Sequence, residues 1–215
     1  MGAFLAVHDD SYDSSRLLIT KAIRPLAGED DAIAMIPNRD TLLIAGSENN
    51  EALSAMLEQA KEALKQSYPN SGVALRLSGD EWVPWLPAES HPLYGEFHAL
   101  QLSTFRQEHD KQKAMLEDRN RESGENISVA KFDVSHTADG AIFSVAEWER
   151  GADTLLPKTD KILFCRADAE TMAVSWEVAR RVVGSLMEPL GIYPPRYHVR
   201  SFPTEEQLAW MASED

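Results

Sequence analysis

Apolar residues return along this chain in two rhythms, and the switch from one to the other marks out its elements. Residues 3–7 read as a short strand, and Asp13 or Ser14 can cap a helix carrying Leu18, Ala22 and Ile23, which Pro25 ends. Residues 32–36 and 41–45 are two apolar strands around Pro37, Asn38, Arg39 and Asp40, a turn-forming tetrapeptide, so a hairpin is predicted. From residue 50 to 66, Leu53, Met56, Leu57, Ala60 and Leu64 recur at helical spacing opposite Glu58, Lys61, Glu62 and Lys65. Residues 73–77 follow as a strand.

Residues 82–95 hold Pro84, Pro87 and Pro92 and so are neither regular helix nor central strand. Residues 98–121 are helical in composition. Between Phe105 and Met115 almost every residue is polar, which predicts a largely solvated connecting helix with His98 and His109 exposed. Strands are expected at 127–134 and 141–148, around a turn at 136–140, and again at 161–166. A helix over 170–188, with Met172, Trp176, Ala179, Val183 and Leu186 inward, would end at Pro189 and Gly191; a strand over 196–200 and a short helix opened by Thr204 complete the chain.

Laid over itself at an offset of 120, the chain repeats a pattern. Ile36, Pro37, Asp40, Leu42 and Leu43 fall on Leu156, Pro157, Asp160, Ile162 and Leu163, and a later proline recurs as Pro69 and Pro189. The expected fold is therefore α+β: two related β-β-α-β halves, residues 1–88 and 127–215, with antiparallel or mixed sheet. Residues 89–126 supply a proline-rich linker and the connecting helix.

The 215 residues carry 35 acids against 21 Lys plus Arg, a formal charge of −14 spread over both halves. A field of that sign disfavours general binding to phosphate backbones and attracts basic partners. Cys165 is the one cysteine, which rules out an internal disulfide and points to a reducing compartment. The apolar start is too short for a secretory core, and no apolar run approaches the roughly 20 residues of a membrane span. A cytoplasmic protein without membrane attachment is expected.

Tyr12, Asp13, Ser15, Arg16 and Leu17 open the first helix, and Asp31, Ile36, Pro37, Asp40, Leu42 and Leu43 frame the hairpin. This stretch resembles the YtpQ-like family of bacterial proteins, whose helix start of the form YD(A/S)SR-L precedes an apolar strand, a Pro-x-x-Asp turn and a second strand. The resemblance spans residues 10–86 and lacks the longer region that family members carry before it. It implies a bacterial, cytoplasmic origin and brings no catalytic residue with it.

Motifs for metal, nucleotide or nucleophile chemistry do not emerge. Asp9, Ser11 and Asp13 imitate the start of a calcium loop, but Ser14 and Thr20 stand where glycine and the closing glutamate belong. Neither a metal nor a cofactor is expected, and Cys165 sits in an apolar strand where a thiol is packing. Asp40 and Asp160 form a carboxylate pair if the halves bring them together, or cap their own turns, the expected role. Arg196, His198 and Arg200 alternate along one strand, with Arg180 and Arg181 on the preceding helix, as a candidate surface for an anion or a partner. Trp82, Trp85 and Tyr94 are an interaction surface or, as expected of large aromatics, a hydrophobic plug.

Together these readings favour a non-enzymatic protein acting through a protein partner or as a homo-oligomer. A small-anion or nucleotide-binding regulatory domain built on the basic strand is the alternative, and an enzyme with an unrecognised site is the third.

Overall fold

The structure is a computed structural model that describes residues 4–6, 14–138, 140–166 and 169–214, with Phe4–Ala6 and Ala169 described by backbone alone. The calcium-like Asp9, Ser11 and Asp13, and the Tyr12 and Asp13 of the family-like helix start, lie outside the described residues. The chain divides into two compact units, Met1–Thr104 and Phe105–Asp215. Helices together with antiparallel and mixed sheets make the fold α+β.

In the first unit β1 (Phe4–Ala6) precedes three short turns: a 3-10 turn at Ser14–Leu18, α1 (Thr20–Ile23) and a second 3-10 turn at Arg24–Ala27. The single helix expected there is broken, and Pro25 sits in the opening turn of the last piece. β2 (Ala32–Asn38) and β3 (Thr41–Gly46) make the predicted hairpin, followed by α2 (Asn50–Ala63), β4 (Leu75–Ser78) and β5 (Glu81–Pro84). The sheet order is β1-β3-β2-β4-β5, with every pairing antiparallel.

Both faces of this sheet are covered. Ile33, Met35, Leu43 and Ala45 pack under α2 against Leu53, Met56, Leu57 and Ala60. Their neighbours Ala32, Ala34, Leu42 and Ile44 face the other way, toward Leu17, Ile23, Ala27 and Leu77. That double burial explains why β2 and β3 are apolar at nearly every position instead of alternating. Asn49 starts α2 by accepting the Ala52 N–H at 3.0 Å.

α3 (Tyr94–Ser123) begins in the first unit, where Phe97 and Leu102 are buried, and the division between units falls inside it. Gly72 lets the chain run close to this helix: its N–H donates to Thr104 Oγ1 at 2.8 Å, and a Cβ there would stand 2.9 Å from the Leu100 carbonyl.

The second unit has two four-stranded sheets. One is ordered β11-β10-β8-β7, from β7 (Asp133–His136), β8 (Ile142–Glu149), β10 (Lys161–Arg166) and β11 (Ala169–Ser175). The other is β12-β13-β9-β6, from β6 (Ser128–Val129), β9 (Thr154–Pro157), β12 (Glu188–Pro189) and β13 (Arg196–Val199). β8 with β10 and β6 with β9 are parallel, and the rest antiparallel. α4 (Trp176–Val183) and α5 (Glu205–Glu214) contribute Trp176, Val183, Leu208 and Met211 to a core centred on Trp148, Leu156 and Phe164.

Two expectations change here. Residues 127–134 are not one strand, because the chain leaves one sheet after Val129 and enters the other at Asp133. The helix expected over 170–188 starts only at Trp176: Met172 and Val174 point inward between the exposed Thr171 and Ala173, a period of two, and Ser175 then caps α4 by accepting the Val178 N–H. The two Pro-x-x-Asp segments also serve different connections. The first closes the β2–β3 hairpin, whereas the second joins β9 to β10 in separate sheets.

Candidate functional site

The five basic residues singled out in the sequence are each engaged, and on different sides of the strand. Arg196 is 1% exposed, and its guanidinium is ringed by acceptors: Nε donates to Gln112 Oε1 at 2.6 Å, and Nη1 to the Ala130 and Leu155 carbonyls at 2.7 and 2.9 Å. Burial lowers its pKa to about 10, opposed by the charges of Glu117 and Asp110. His198 is hydrogen-bonded to the Asp153 carboxylate, and Arg200, exposed beyond the strand, pairs with Glu188. Arg180 donates to the Gly184 and Met187 carbonyls and lies 5.1 Å over Tyr197, on the face of β13 opposite Arg196. Arg181 pairs with Glu214. Strand alternation and these local acceptors take the expected basic cluster apart.

The aromatic trio packs within the first unit. Trp82 donates its indole N–H to the Leu17 carbonyl at 2.9 Å and closes the cluster on one face of the sheet. Trp85 meets Phe97 edge-on at 5.4 Å on the other face, and Tyr94 leans on the buried His98 at 5.2 Å. Of the turn aspartates, Asp40 forms a two-pronged pair with Arg39 at 2.9 and 3.0 Å, a contact that lowers its pKa. Asp160 instead accepts the N–H and hydroxyl of Ser144, both at 2.7 Å. Burial raises the pKa of the Cys165 thiol, which disfavours the thiolate. Among the described residues no three His, Cys, Asp or Glu side chains are grouped to hold a metal, and no helix is long and apolar enough to cross a membrane.

The second half of α3 departs from the sequence reading. His109 and Asn120 are 2% and 3% exposed, so a polar stripe of the helix is buried where solvent was expected. His109 stacks on Phe132 at 4.8 Å, and burial, helped by the charge of Arg196, lowers its pKa to about 4. Gln112, one turn on, donates from Nε2 to the Pro194 carbonyl at 2.7 Å while its Oε1 receives Arg196. The buried arginine thus fixes Gln112, and Gln112 fixes the loop that carries Tyr193 and Pro194.

That link builds a groove. Glu108, Lys111, Met115 and Arg119 follow one another at three- and four-residue spacing along α3, with Leu116 beside Met115, facing Ile192, Tyr193 and Pro194 across a cavity of about 480 Å³. Met115 and Tyr193 are 73% and 72% exposed, so two large hydrophobic side chains from separate elements line one groove open to solvent. Lys111 and Arg119, on the rim, make no ion pair among the described residues, whereas Lys113 and Arg121 pair with Glu117 and Asp118. The sequence did hold a signal for it: Met115 and Leu116 are an isolated apolar pair in a polar helix. Comparison with family models, with curated proteins and with solved structures finds no match for this chain.

Proposed function

We propose that this protein is non-enzymatic and acts by protein–protein contact, receiving its partner on the groove between α3 and the 192–194 loop. The observation that carries the reading is the convergence of exposed Met115 and Tyr193 on a scaffold held by the Arg196–Gln112–Pro194 chain of hydrogen bonds. Such a surface is placed in advance, so a ligand need not order it on binding. The resemblance to YtpQ-like proteins and the lone cysteine support a bacterial cytoplasm as its setting, and a charge of −14 supports a partner other than nucleic acid.

The test is site-specific photocrosslinking in the native host, with a benzoylphenylalanine at Met115 or, as a control, at the exposed Trp210. A discrete adduct from position 115 that vanishes when Tyr193→Asp is added, and never forms from position 210, is the expected result. Identical patterns from both positions would remove the groove from the protein's function.

A further inference from the structure

Resting on that reading, we infer that the groove takes a peptide segment with one apolar anchor held between two carboxylates. Lys111 and Arg119 stand four residues to either side of Met115 on the same face of α3. At 1.5 Å of rise per residue their Cα atoms lie about 12 Å apart, with the apolar floor midway. In a chain of charge −14, two cations without an ion pair among the described residues bracket an apolar surface. An occupant that fits supplies the missing carboxylates.

An extended segment of the form acid-x-apolar-x-acid meets this spacing, because alternate residues share a face and the outer two are about 13 Å apart. Glu108 also lines the groove, its carboxylate beside the Tyr193 hydroxyl, so the two rim cations are left for the occupant's own carboxylates.

The same charges argue against a second copy as occupant. Antiparallel helices crossing at Met115 set Lys111 of one copy against Arg119 of the other, and Glu108 against Glu122; parallel helices set each charge against itself. Both arrangements are repulsive. A basic segment meets the same repulsion from Lys111 and Arg119.

The experiment is selection of a displayed library of random nine-residue peptides on the full chain, with Met115→Asp as counter-selection and Lys111→Glu/Arg119→Glu as a parallel target. All three positions are surface-facing, and thermal melts confirm that each variant is folded. Expected is enrichment of an apolar residue with Asp or Glu two positions to either side, turning to Lys or Arg on the charge-reversed target. Fluorescein-labelled winners should prefer their matched target by about tenfold, a preference that shrinks with salt. Met115-dependent winners with neutral or basic flanks on the wild-type chain would overturn this inference and leave the groove as an interaction site. Failure of any Met115-dependent peptide to enrich would overturn both, as would a Met115-dependent dimer in sedimentation equilibrium for the proposed occupant.

Discussion

Arg196 Nη2 points at the backbone carbonyl of His109, 3.4 Å away, so a guanidinium and an imidazole-bearing residue share one buried seat between α3 and β13. Only one of the two side chains can hold a charge there, and the arginine holds it. His109 Nδ1 is buried with no hydrogen-bond partner among the described residues, consistent with a neutral ring.

This arrangement sets a pH dependence. His109 has a folded pKa of about 4 against an ordinary histidine value of 6.5, so the unfolded chain takes up a proton first as pH falls. Its contribution is therefore complete above pH 6.5 and is lost progressively toward pH 4, by at most about 3 kcal/mol. The depressed carboxylates of Glu188 and Glu205 act only lower, as pH drops through and below their ordinary range near 4.5. Urea unfolding of the native chain and of His109→Phe between pH 7 and pH 5 reads the contribution of His109 by difference. His109→Phe, which keeps the stacking on Phe132, is expected to flatten the slope in that window; an unchanged slope would place the titration elsewhere.

Removing the arginine leaves its acceptors behind. Arg196→Ala strips partners from Gln112, Ala130 and Leu155 in a site that water does not reach, and is expected to cost about 3–5 kcal/mol. Arg196→Lys keeps the charge but cannot span acceptors on several sides with one ammonium, so a smaller loss is expected. Denaturant midpoints of both variants check the order, and a Lys variant as damaged as the Ala variant would show that the planar fork alone matters.

The elements held by apolar burial are legible in the sequence, while those held by buried polar groups are not. The runs in β2 and β3 and the spacing of Leu53, Met56, Leu57 and Ala60 announce the first unit because hydrophobicity itself drives their packing. His109, Gln112 and Asn120 give no such signal. Their burial depends on acceptors and donors brought from β13, Pro194 and residue 127, which lie distant or beyond a turn in the sequence. Met172 fits a period of two or of 3.6 equally well, and antiparallel pairing with β10, which sets Met172 opposite Phe164, decides it. Arg196 and His198 read as a solvated basic face because strand alternation fixes which residues share a side but not whether that side is covered.

The two turn aspartates should respond differently to the same change. Asp160→Ala leaves the Ser144 N–H and hydroxyl, on a residue 1% exposed, without their acceptor, for an expected loss of about 2 kcal/mol. Asp160→Asn retains a carbonyl oxygen and should lose less. Asp40→Ala removes a pair that stands in solvent beside Arg39, and the unfolding midpoint should stay where it was. Equal losses at the two positions would mean that Asp40 carries more than its exposed pairing shows.

Trp148 offers the sharpest test of packing against polarity. It is fully buried, tilted on Phe164 at 5.4 Å and edge-on to Phe202 at 6.4 Å, yet its indole N–H has no acceptor among the described residues. Trp148→Ala opens a cavity in the core of the second unit and is expected to cost about 3–5 kcal/mol. Trp148→Phe gives up less volume and also removes a donor whose burial is itself unfavourable by about 1–3 kcal/mol. The two terms oppose, so the Phe variant should lie within about 1.5 kcal/mol of the native chain. Urea unfolding of both at pH 7 separates the contributions: a Phe variant as unstable as the Ala variant would mean that the indole nitrogen is satisfied and that Trp148 is held by its N–H as well as by its ring.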